Sequence, residues 1–123
     1  MRYRGEGAQM NQEALIKELM SIPGKVISLH DGAYLYREGA PAHYFDIVRS
    51  GHIFVVKYGA SGRVLALRLA TKGSLVGELP IYEDEPTYLF SAIARSAAEV
   101  YAIEFPVLEA YLEKHPHLAV ALL

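Results

Sequence analysis

Between Lys25 and Glu104 the apolar residues fall in short runs, and most runs are bounded by glycines, at Gly24, Gly32, Gly39, Gly51, Gly59, Gly62, Gly73 and Gly77. Runs of this length, rich in Val, Ile, Phe and Tyr and closed by turn residues, predict β-strands. The strands expected are Lys25 to Leu29, Ala33 to Tyr36, Tyr44 to Arg49, His52 to Tyr58, Arg63 to Leu69, Leu89 to Ala94 and Glu99 to Glu104. Tyr58-Gly59-Ala60-Ser61-Gly62 joins the fourth and fifth as a hairpin, its two glycines suited to positive φ. In Val64-Leu65-Ala66-Leu67-Arg68-Leu69, strict alternation puts the leucines on one face and Val64, Ala66 and Arg68 on the other. That pattern predicts leucines facing the core and a solvated Arg68.

Outside this region the period changes to helical. Asn11 is placed to cap a helix from Gln12 to Met20, in which Ala14, Leu15 and Leu19 recur at helical spacing before Pro23-Gly24 ends it. Pro106 opens a second helix with Val107, Leu108, Tyr111 and Leu112 on one face, and Lys114 and His115 suit its C-terminal end. Pro116 opens a third, apolar from His117 to Leu123 and without a cap, which predicts a fragment of a longer protein. About eight short strands framed by helices predict a mainly β fold, a double-stranded β-helix or jelly-roll barrel. The expected segments are residues 1–22 (a flexible leader and short helix), 23–105 (the β-roll) and 106–123 (the C-terminal helices).

Composition narrows the function. At 52% hydrophobic and 21% charged residues the chain is globular, and its net charge of -2 lacks the basic field of a nucleic-acid-binding domain. The absence of cysteine removes disulfides, thiolate metal sites and thiol nucleophiles, and it fits a reducing, cytoplasmic setting. No apolar run reaches the roughly 18 residues of a membrane span. No nucleophile elbow or identifiable base accompanies Ser74 or Ser91, so no catalytic residue is assigned and the chain is read as a non-enzyme.

The motifs carry more. Tyr36-Arg37-Glu38-Gly39, Tyr44-Phe45-Asp46-Ile47-Val48-Arg49-Ser50-Gly51, Val55-Val56 and Lys72-Gly73-Ser74-Leu75-Val76-Gly77-Glu78-Leu79 occur in that order, followed by Ala92-Ile93-Ala94 and Glu99-Val100-Tyr101-Ala102-Ile103. Together, over about residues 23 to 120, they resemble a cyclic-nucleotide-binding domain, most closely the sensor half of Crp/Fnr-type bacterial transcription regulators. The resemblance implies a small-molecule effector, a homodimer in the full-length protein, and DNA contact only through a domain absent from this chain. It also implies that Gly77, Glu78 and Leu79 form the ligand turn, with Val55, Leu67, Arg68, Thr87 and Tyr88 around it and Ala70 nearby.

The residues depart from that pattern where the phosphate is held. In the family an Arg follows the Gly-Glu-Leu turn and neutralises the nucleotide phosphate; its position here falls at Tyr88, and no Lys, Arg or His occurs from Glu78 to Ala94. Thr87 and Tyr88 offer hydroxyls but no charge. Loss of a charged hydrogen bond removes roughly 1.5 to 3 kcal/mol, about one to two orders of magnitude in affinity. Glu78, Glu83, Asp84 and Glu85 add like charge beside the site. Pro80 removes an N–H from the anion-binding turn. The expected ligand is therefore an effector other than cyclic AMP or cyclic GMP, with those nucleotides as the alternative.

Tyr82, Tyr88 and Phe90 are candidates for an aromatic lining or for simple packing. A cupin-like metal site is a further alternative, but the one His-x-His pair, His115-Pro116-His117, lies at a helix junction rather than on a strand. His30 and His52 are the candidates for a haem ligand, and no spacing favours either. No metal ligand is assigned. A third reading is a barrel that mediates only protein contacts.

Overall fold

The computed structural model describes residues 10–77 and 84–122. Its elements are α1 (Gln12–Leu19), β1 (Lys25–Leu29), β2 (Tyr34–Tyr36), β3 (Tyr44–Ser50), β4 (Ile53–Tyr58), β5 (Val64–Ala70), β6 (Leu75–Val76), β7 (Ser91–Ala94), β8 (Ala98–Glu104), α2 (Phe105–Lys114) and α3 (Pro116–Leu122). Every predicted strand and helix forms, with ends displaced by one or two residues. The sequence reading missed β6, whose two residues are too few to show a period.

The strands make two antiparallel sheets, ordered β1-β8-β3-β6 and β2-β7-β4-β5. The chain passes from one sheet to the other at each connection except the β4–β5 hairpin, so β1 pairs with β8, β2 with β7, β3 with β6 and β4 with β5. Among the described residues no strand of one sheet pairs with a strand of the other, so the closed barrel expected from the sequence is not formed. Closure requires strands long enough to bend and belong to both sheets, and β2, β6 and β7 span only three, two and four residues.

The core lies between the sheets and under the helices. Leu15 and Leu19 of α1, Ile22, Phe45 and Ile47 of β3, Ile53 of β4, Val100 and Ile103 of β8, Leu108 of α2 and Leu118 of α3 are all buried in one cluster. Asn11 caps α1 as expected, its Oδ1 accepting from the Ala14 N–H at 2.7 Å.

The β4–β5 hairpin corrects two expectations. Of its two glycines only Gly62 takes a positive φ, +84°. The leucine face of β5 points outward: Leu65, Leu67 and Leu69 are 67%, 58% and 49% exposed. Cross-strand register supplies the reason. Directly opposed residues share a face: Arg68 opposes Val55 and Ala70 opposes Ile53, both in the core cluster, whereas Leu67 opposes Val56, which is buried outside that cluster. Alternation separates the faces of β5 without saying which is inward; β4 decides that.

Candidate effector cleft

A cleft of about 300 Å³ opens against the β4–β5 hairpin, lined by Tyr36, Val55, Ala66, Leu67, Arg68, Gly77 and Phe90. It brings together Val55, Leu67, Arg68 and Gly77 of the predicted ligand residues, with Phe90 of the candidate aromatic lining. Each wall follows from local structure. Val55 and Arg68 are a cross-strand pair, and Tyr36 pairs with Ala92 on the strand beyond β4. Gly77 turns away from the end of β6 with φ +102°, a conformation that favours glycine. A Cβ at Gly77 would stand 3.4 Å from the Tyr44 carbonyl oxygen, so this turn packs closely on β3.

The expected solvation of Arg68 is overturned in one respect. Its side chain remains exposed, yet it stands on the cleft side and donates from Nη2 to the Leu75 carbonyl oxygen at 3.2 Å, just before the Gly77 turn. Glu78, Leu79, Pro80, Tyr82 and Glu83 lie outside the described residues.

Tyr88 and Thr87 do not line the cleft. Tyr88 is buried and its ring stacks on Tyr36 at 3.8 Å between centroids, so it backs the cleft wall. Its hydroxyl donates to the Tyr44 carbonyl oxygen at 3.2 Å and accepts from the Tyr44 N–H at 3.3 Å. Thr87 is exposed and forms a bridge with Pro41. The segment carrying both is tied to residues 39–42 by main-chain bonds, including Gly39 N–H to Tyr88 O and Tyr88 N–H to Ala40 O. At the rim, the Lys57 ammonium is held by Glu38 at 2.7 Å and by the Leu89 carbonyl oxygen at 3.1 Å.

Sequence reasoning missed Asp46. It opposes Val76, the residue before Gly77, and is 1% exposed, its Oδ1 without a hydrogen-bond partner among the described residues. Burial pushes its carboxyl up to about 7. The available signal was a lone acid inside the apolar run Tyr44-Phe45-Asp46-Ile47-Val48.

The histidine pair weighed as a metal motif serves helix docking. His117 Nε2 meets Glu18 at 2.9 Å, and His115 stacks on Tyr111 with Nδ1 2.9 Å from the Tyr111 carbonyl oxygen. The Tyr111 hydroxyl also donates to Glu18, so one carboxylate joins α1, α2 and α3. Desolvation raises the Glu18 pKa, but the bonds from His117 and Tyr111 outweigh it and hold the carboxyl below its ordinary value. Among the described residues no group of three His, Cys, Asp or Glu side chains is placed to hold a metal ion. Among the same residues no helix is long and apolar enough to cross a membrane.

Comparison with known proteins agrees with this geometry. The family model described as "cyclic nucleotide-binding domain" matches residues 26–115. The anaerobic regulatory protein of Bacillus subtilis (strain 168) is 38% identical over 76 residues, 62% of this chain and 32% of that protein. This chain thus spans about a third of the length of that relative. The sensor domain of the transcriptional regulator DNR from Pseudomonas aeruginosa superposes with a TM-score of 0.74 at 25% identity, over 89% of this chain and 72% of that one. The Catabolite Activator Protein of Thermus thermophilus shares the fold, with a TM-score of 0.77 at 22% identity over 89% of this chain and 50% of that one.

Proposed function

The chain belongs to the cyclic nucleotide-binding domain family, within which it resembles the sensor domains of Crp/Fnr-type regulators, and we propose that it senses a small effector other than cyclic AMP or cyclic GMP. Residues 23–105 form the effector-binding unit in this reading. The paired order of strands about the β4–β5 hairpin supports a jelly-roll winding for it. One observation carries the choice of ligand. The Gly-Glu-Leu turn is present, but no basic residue follows it as far as Ala94, and the Tyr88 hydroxyl at the Arg position is committed to the backbone of β3.

The mechanism is a shift between two arrangements of the helices that follow the sheets. An effector that binds one arrangement better than the other biases the equilibrium by its differential affinity and nothing more. In a full-length regulator that bias is passed through a dimer to a DNA-binding domain. The cleft's position beneath β5 and Gly77, on sheets whose last strand leads directly into α2, supports this route.

A thermal-shift panel of cyclic AMP, cyclic GMP, phenolic compounds and organic acids tests the reading. The expected result is a rise in melting temperature with a non-nucleotide ligand. A rise of several degrees with micromolar cyclic AMP overturns it.

A further inference from the structure

We infer that the cleft takes a small organic carboxylate with an apolar or aromatic body, and that Arg68 is the residue that reads its charge. The inference rests on the effector-sensing reading above and names the ligand class. Arg68 is the one charged side chain among the described lining residues. Its guanidinium carries five N–H donors, and the bond to the Leu75 carbonyl oxygen occupies one of them. No described carboxylate lies within ion-pair distance of it, whereas neighbouring Lys57 is already matched by Glu38. The cleft thus offers a guanidinium fork whose geometry suits a planar, two-oxygen anion.

The rest of the lining selects the body of the ligand. Val55, Ala66, Leu67 and Phe90 are apolar, and the Tyr36 ring is fixed by its stack on Tyr88. A volume of about 300 Å³ is at the small end of ligand pockets. A cyclic phosphodiester also matches a guanidinium, but a nucleotide brings sugar hydroxyls and base nitrogens. Arg68 and the Tyr36 hydroxyl are the only polar side-chain groups the described lining presents, so those residues offer the nucleotide's further polar groups few partners. A carboxylate on a hydrocarbon ring leaves no such group unpaired.

Calorimetric titration of the chain with 2-naphthoate, 2-naphthamide and cyclic AMP tests this, in the wild type and in Arg68→Gln and Arg68→Lys. Naphthoate is expected to bind. Naphthamide to the wild type, and naphthoate to Arg68→Gln, are each expected to bind about ten- to a hundredfold more weakly. Arg68→Lys is expected to fall between, because it keeps the charge and loses the fork. Arg68 is exposed, and an unchanged melting temperature in Arg68→Gln confirms that a lost affinity is not a lost fold. Equal affinity for acid and amide, equal affinity of wild type and Arg68→Gln, or no naphthoate binding at millimolar concentration overturns the inference. The first two outcomes leave the non-nucleotide reading standing. Micromolar binding of cyclic AMP overturns that reading instead.

Discussion

β3 and β5 are both seven residues long, and the more apolar of the two is the exposed one. In β3 four consecutive residues, Phe45, Asp46, Ile47 and Val48, are buried, one of them a carboxylic acid. In β5 every residue from Val64 to Leu69 is exposed, three of them leucines. β3 is flanked by β8 and β6, and Phe45, Ile47 and Val48 belong to the core cluster. β5 is the edge of its sheet, and among the described residues its one strand partner is β4. Burial here is a property of where a strand sits, and side-chain hydrophobicity alone assigns it to the wrong strand.

The sharpest test of that contrast is Asp46. Its folded pKa of about 7 is above the ordinary value of 3.8, so the folded state binds the proton more tightly and stability falls as pH rises between these values. Across that window the loss is on the order of 4 kcal/mol. Asp46→Asn cannot ionise, so its stability relative to wild type should rise by that order between about pH 4 and about pH 8 in urea denaturation. A difference that stays flat with pH would show that Asp46 is ionised in the fold, and the contrast with β5 would lose its strongest element.

Tyr88→Phe comes next. It removes the hydroxyl that bonds the backbone at the start of β3 and leaves buried polar groups short of a partner, a loss of about 1 to 3 kcal/mol by chemical denaturation. Ile47→Val, at a fully buried position, should cost about 1 kcal/mol by removing one methylene from a packed core. The smallest effect is expected on β5. Leu67→Ser should change stability by no more than about 0.5 kcal/mol, because a side chain already 58% exposed gives up little burial. A loss of more than about 1 kcal/mol would mean that another group covers β5 in solution.

The strands were legible because most are local runs closed by a glycine, as in Lys25 to Leu29 before Gly32. The cap at Asn11 was legible for the same reason: donor and acceptor are three residues apart. The candidate site was legible only in part. Val55, Leu67, Arg68 and Gly77 do meet around one cleft, while Tyr88 supports its wall from behind and Thr87 stands outside it. Tyr88 could not be placed from sequence because its stacking partner, Tyr36, is distant along the chain, on β2.

The sequence by itself determined the order of the elements other than β6, the turn at Gly77 and the absence of a basic residue from Glu78 to Ala94, since each is carried by neighbouring residues. Only the tertiary structure decided which face of β5 is inward, and with it the place of Arg68 in the cleft. It alone decided that Asp46 is buried and that His117 meets Glu18. The physical reason is common to all of these. Period and turn chemistry act within a few residues, whereas facing, desolvation and partner choice depend on strands and helices that meet only after the chain has folded.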